Sequence, residues 1–319
     1  MRAATVIVVA LVPASLALAV AFGSVDLGPG HLADALVGRG DEIAREIVWG
    51  VRVPRALAGF ACGGLLALAG ALLQVLLRNP LADPAILGVS GGAAAGALGA
   101  MLFGAAAVVV NLAALAGASV AAGAVFAFSL GRSGWNPYRV LLTGVALASG
   151  FGAIVSLMLA VAPSSQLQGM LFWLLGDLSP AGNPAVALLV LAACAALAFS
   201  QAAALDVLIL GEDKARSLGV AVTRLQSIAF GCATLATVAA VLLGGAIGFV
   251  GLVVPHLLRL SGVHRHRVLL PLAACLGGSL LALADTLART VAAPAELPVG
   301  VLTAMIGVPV LLVLLARLR

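Results

Sequence analysis

Charge is scarce in this chain. Only 9% of its 319 residues are Asp, Glu, Lys or Arg, and aromatic side chains make up 4%. Between Asp83 and Arg132 lie 48 residues without one charged side chain, and the rest of the chain repeats that pattern in shorter runs. This is the pattern of a membrane protein. A bilayer core about 30 Å thick takes roughly 20 apolar residues per helix, and in lipid the helix is the simplest way to pair every backbone N–H and C=O.

Other absences narrow the function. The four cysteines, Cys62, Cys194, Cys232 and Cys275, all fall inside apolar runs, and no disulfide or metal-ligand spacing is present. No phosphate-binding G-x-x-x-x-G-K-[ST] motif occurs. Gly211-Glu212-Asp213-Lys214 lacks both the glycine spacing and the hydroxyl residue after lysine. If ATP drives this protein, the ATPase is another polypeptide. His31, His256, His264 and His266 are scattered or sit among arginines, so no nucleophile, base or metal cluster is visible, and His264 and His266 are expected in a solvated basic loop. No apolar run carries an ionised residue near its midpoint, which weighs against a proton- or ion-coupled secondary transporter. That class stays open as the alternative, because backbone groups alone can coordinate Na⁺.

The charge-free runs are residues 3–25, 56–77, 84–131, 140–176, 178–205, 225–258, 268–284 and 297–316. Two are too long for one helix. The run 84–131 is expected to fold back near Gly104, and 225–258 near Gly244, Gly245 and Gly248, which gives ten spans. Pro163-Ser164-Ser165 leaves Gln166–Gly176 as a short surface or re-entrant helix. Met1-Arg2 and Ala17-Leu18-Ala19 resemble parts of a signal peptide, but the first apolar run is too long for one. With Met1 inside, the inner loops hold 12 of the 17 Lys/Arg and 4 of the 12 Asp/Glu, against 5 and 8 outside. The positive-inside rule therefore puts both termini in the cytoplasm. The net charge of +5 reflects that topology, and no compact basic domain supports nucleic-acid binding.

The informative segments are loops. Arg52-Val53-Pro54-Arg55 breaks the positive-inside trend just before the second span, as interfacial anchors or as a docking point for an acidic partner. Arg78-Asn79-Pro80-Leu81-Ala82-Asp83-Pro84 is a tight inner turn. Also inside, Leu210–Val220 carries Ala215 and Leu218 three apart and ends on Gly219, which suits a short amphipathic helix gripped by a partner or a solvated charged loop.

These residues resemble the FecCD family, the transmembrane subunits of ABC importers for cobalamin, haem and ferric siderophores. The matching elements are RVPR at 52–55, Gln74 with RNPLADP at 78–84, LGVSGGA at 87–93 and LGEDKARSLGV at 210–220. They continue with GAIGFVGLVVPHLLR at 245–259, HRVLLP at 266–271, ADTLAR at 284–289 and ELPVG at 296–300. The resemblance implies an all-α, polytopic subunit of about ten transmembrane helices in the type II ABC importer permease fold. The chain would be one permease domain over 1–319, with a first span and outer loop over 1–50 and an inner coupling segment over 205–221. It further implies a bacterial inner-membrane homodimer with a translocation path on its twofold axis. Two ATPase subunits, which carry ATP and Mg, would bind inside and a binding protein outside. No catalytic residue, metal or cofactor is expected on this chain.

Site roles follow from the same resemblance. Arg52, Arg55 and Arg289 would form an outer basic patch that receives glutamates of the binding protein. Glu212, Asp213, Lys214, Ala215, Arg216, Ser217, Leu218 and Gly219 would be the coupling helix that enters a groove on the ATPase. Trp135, Asn136, Pro137 and Tyr138 correspond to the inner gate region, and the fifth span with Gln166 and Gln168 would line the path. Related cobalamin permeases have small hydroxyl residues where this chain has Pro137-Tyr138. Pro255-His256 with Arg259 would be either an inner helix-end brace or a second ATPase contact. The spacing from Leu258-Arg259 to His266–Pro271 resembles cobalamin permeases most, ahead of those for haem or siderophores.

Overall fold

Small residues in long apolar runs let helices approach closely, and close approach builds this protein. A computed structural model of the chain describes residues 2–131, 134–179 and 182–316. The order runs α1 (Arg2–Ala21), α2 (Pro29–Leu36) and α3 (Glu42–Arg45), which continues through a π-helical stretch, Glu46–Arg52, into α4 (Val53–Leu76). Then come α5 (Val89–Leu102), α6 (Ala107–Ser129), a two-residue-per-strand hairpin of β1 (Leu130–Gly131) and β2 (Gly134–Trp135), α7 (Pro137–Val161) and α8 (Ser164–Leu175). The remainder is α9 (Ala185–Ser200), α10 (Ala202–Leu208), α11 (Glu212–Ser217), α12 (Val222–Gly244), α13 (Val250–Leu260), α14 (His266–Thr290) and α15 (Val299–Ala316).

Among the described residues, six helical stretches are long and apolar enough to cross a membrane. A seventh crossing is made by α9 and α10, bent by 61°, and α5, α13 and α15 are shorter apolar helices. These ten segments follow the ten charge-free spans. The two long runs break where glycine was expected to break them: Gly104 (φ +68°) separates α5 from α6, and Gly245 (φ +71°) ends α12. Both backbones lie in the left-handed region that a side chain disfavours. The short helix after Pro163 is present as α8.

The core is organised around α4, whose residues are buried almost continuously from Arg55 to Leu76. It packs against α14, α12, α13 and α9. A Cβ added at Gly63 would overlap the carbonyl of Gly277 on α14, so the two backbones touch there, as small-residue faces in lipid allow. The same device joins α5 to α6 at Gly92 and Gly117. Elements at the margin are far less covered. Along its 25 residues α7 buries only Val140 and Gly144.

One expectation fails here. His266 is fully buried, not part of a solvated loop: its backbone N–H donates to Asp206 Oδ1 at 2.9 Å and its ring Nδ1 lies 2.6 Å from the same oxygen. The histidine opens α14, where an unpaired backbone N–H and a ring nitrogen both find the one carboxylate at the end of α10.

Candidate functional site

At the start of α4, arginines meet carboxylates inside the fold. Arg55 directly follows Pro54 in the first turn of the helix and faces α14. Its Nε and Nη2 donate to Asp285 at 3.0 and 2.9 Å, and its Nη1 donates to Glu296 Oε2 at 2.8 Å. Arg289, one turn beyond Asp285 on α14, places Nε 3.6 Å from the Asp285 carboxylate and donates from Nη2 to the Ala19 carbonyl of α1. Arg52 donates to the carbonyls of Val20, Ala21 and Val25, at 2.9, 2.8 and 2.6 Å. The first two are acceptors left free where α1 ends, and Val25 lies in the segment after it.

The three arginines do converge, but not as an open basic patch. Arg52, Arg55 and Arg289 are 2%, 6% and 2% exposed. A guanidinium withdrawn from water needs partners for its donors, and here the chain's own carboxylates and carbonyls supply most of them; Arg289 Nε, buried, has only the ion-pair contact with Asp285. In this chain the three arginines form a buried bracket joining α1, α4 and α14. Its one accessible member is Glu296, whose side chain is 28% exposed. Burial pushes the Glu296 carboxyl up, but the Arg55 guanidinium and the hydroxyls of Ser179 and Ser24 outweigh it and hold the group below its ordinary range.

The other end of α4, about 36 Å away along the helix, carries the second site. Within 212–219 the helix α11 spans Glu212–Ser217 and ends in a Schellman turn, with Gly219 (φ +81°) donating to the Arg216 carbonyl at 3.0 Å and Val220 to the Ala215 carbonyl at 3.0 Å. Its two apolar residues point different ways. Ala215 is fully buried and seats the helix, whereas Leu218 is 66% exposed. Glu212 accepts from Arg78 Nη2 at 2.7 Å, from Gln226 at 3.1 Å and from Arg216 at 3.4 Å. The turn at 78–84 and α11 therefore form one surface. Behind it, Arg259 of α13 donates to Gln74 of α4, whose amide donates to the Leu252 carbonyl at 3.2 Å, so Arg259 braces a helix end.

The residues expected at the gate and path lie toward the two ends of α7. Asn136 caps that helix by accepting from the Tyr138 amide at 3.0 Å, Pro137 opens its first turn, and Tyr138 is 78% exposed. The side chain of Trp135 lies outside the described residues. Gln166 and Gln168 belong to α8, beyond the far end of α7, with Gln168 exposed. The structure thus brings Asn136–Tyr138 together but not with the glutamines.

Sequence reading missed the carboxylates of the arginine bracket. Asp285 and Glu296 stood inside the quoted ADTLAR and ELPVG segments. The spacing of Asp285 and Arg289, four apart on a helix, was the one local signal that they pair.

Comparison with known proteins decides the family: residues 9–317 match the model of the FecCD transport family. The chain belongs to that family. It is 43% identical over 278 residues, 86% of this chain and 74% of the relative, to the cobalamin import system permease protein BtuC of Halobacterium salinarum. It is 38% identical over 276 residues, 85% of this chain and 84% of the relative, to the vitamin B12 import system permease protein BtuC of Escherichia coli. An uncharacterized ABC transporter permease protein of Bacillus subtilis, YvrB, is 39% identical over 289 residues, 88% of this chain and 82% of the relative. Among solved structures, a metal-chelate type ABC transporter in an inward-facing conformation matches with a TM-score of 0.87 at 29% identity, over 99% of this chain and 100% of that one. This FecCD chain is a multi-pass membrane permease subunit of an ABC transporter, not itself an ATPase. The arginine bracket and the α11 surface are features of its own fold.

Proposed function

We propose that this permease imports a metal chelate, with cobalamin favoured over haem or a ferric siderophore, and works as a homodimer around a path on the twofold axis. The ATPases, with their ATP and Mg, bind the cytoplasmic face that carries α11, both termini lie on that side, and the binding protein docks at the opposite face near the arginine bracket. The observation that carries the cargo assignment is the 43% identity to a permease named for cobalamin import. The homodimer is supported by α7, an apolar 25-residue helix that this chain leaves almost uncovered. Coupling is supported by Leu218, a large apolar side chain exposed on the helix that Ala215 and Glu212 fix in place.

The test is cobalamin uptake into proteoliposomes. Uptake is expected only with the ATPase, the binding protein and Mg-ATP present, and to compete poorly with haem or ferric siderophore. Uptake by this chain alone in a proton or sodium gradient would overturn the reading in favour of an ion-coupled carrier.

A further inference from the structure

Arg55 has two kinds of carboxylate partner. Asp285 takes Nε and Nη2, is 2% exposed, lies on the rigid α14, and is held from its other side by Arg289. Glu296 takes only Nη1, lies in the segment between α14 and α15, and is 28% exposed. The same Glu296 oxygen accepts from Ser179 Oγ at 2.9 Å. Ser179 closes the turn that leaves α8: its amide donates to Asp177 Oδ1 at 2.8 Å, the Asp177 amide donates to the Gly244 carbonyl at 3.0 Å, and Leu178 between them is fully buried. One accessible carboxylate oxygen thus straps Arg55 to the segment after α8.

We propose that Glu296 is a replaceable counter-ion, and that a carboxylate of the docking binding protein takes its place on Arg55 Nη1 and so releases the turn at Asp177–Ser179. The inference rests on the reading that an acidic extracytoplasmic partner docks at this corner. Exchange of one carboxylate for another leaves the hydrogen bonds of Arg55 unchanged in number, so displacement costs little there, whereas Asp285 is out of reach. Three guanidiniums, of Arg52, Arg55 and Arg289, gather here; Asp285 and Glu296 pair with Arg55, Asp285 also lies near Arg289, and Asp26 acts electrostatically on Arg52, which is bonded to backbone carbonyls. What an acidic partner meets there is Arg55 Nη1, whose own counter-ion, Glu296, is partly exposed. What the partner gains at Arg55, Ser179 loses, and docking acquires a physical route to α8.

The experiment uses the full chain with its ATPase subunits in nanodiscs and the purified binding protein, reading docking affinity and amide exchange over Gly176–Ser179. In the wild type, docking should speed that exchange by about five-fold or more. Glu296→Gln should exchange fast without the partner and bind it about two- to five-fold more tightly, as loss of one partly exposed internal competitor implies. Ser179→Ala should exchange fast with unchanged affinity, a separation that a merely structural strap would not give. Docking that leaves wild-type exchange unaltered, or weaker docking by Glu296→Gln, would overturn the displacement. A wild type that binds no partner while both variants still exchange fast would instead overturn the docking reading beneath it.

Discussion

Asp285 shows what a single side chain does when a membrane protein buries charge. It is the only described carboxylate within 4 Å of both Arg55 and Arg289, so removing it leaves two guanidiniums facing each other with little water. Asp285→Ala should cost about 3–5 kcal/mol, the penalty for stranding a buried partner. The exposed Arg39→Ala should change stability by less than about 0.5 kcal/mol. Equilibrium unfolding of the detergent-solubilised protein compares the two, and equal effects would mean the bracket is not a structural unit. Glu296 adds a pH dependence of definite sign. Its carboxyl is held below the ordinary glutamate range, so the strap is fully formed above that range and is lost as pH falls through the lower folded value. The turn at Asp177–Ser179 should therefore stay protected from exchange at neutral and mildly acidic pH and open only in stronger acid. Glu296→Gln should abolish that acid step.

At the scale of elements, α11 separates the residue that seats the helix from the one that the proposed coupling would offer to a partner. Ala215 and the Arg78–Glu212 pair fix it to its own chain, Gly219 ends it, and Leu218 is left outside. Leu218→Asp should leave the helix intact but put a charge into a partly apolar partner groove. That costs about 1–3 kcal/mol at a hot-spot position, or about 5- to 150-fold in ATPase affinity. Pull-down of the ATPase by inserted protein measures it, and unchanged recruitment with normal ATP-driven uptake would move coupling to the turn at Arg78–Pro84. Elements were also the most legible scale in the sequence. Charge-free length located the spans, glycine placed both reversals, and Pro163 placed the start of α8, because each is a local constraint on backbone geometry. Arg55 and Glu296 meet across 241 positions, and nothing local records such a pairing. The sequence therefore exposed three arginines on one side but not the carboxylates that bury them.

At the scale of the whole molecule, α7 is the 25-residue helix that the chain leaves almost uncovered. On α7 the side facing away from the body carries Ser149, Ala153, Ser156 and Ala160, all exposed and spaced by three or four residues so that they share one face. Lipid tails do not select small and hydroxyl side chains over leucine, whereas a close helix contact or a narrow path does. If that face turns to a second copy or to the path between copies, enlarging it must interfere with function while sparing the fold of the chain itself. The double variant Ala153→Leu with Ser156→Leu gains apolar surface and helix propensity, and should insert and unfold like the wild type. Overpacking of a matched surface costs about 1–3 kcal/mol, so ATP-driven uptake or dimer affinity should fall by about 5- to 150-fold. Uptake assays and energy transfer between singly labelled copies in bilayers read the two quantities. Wild-type values in both would place this face against lipid and move the contact between copies to another face of the chain.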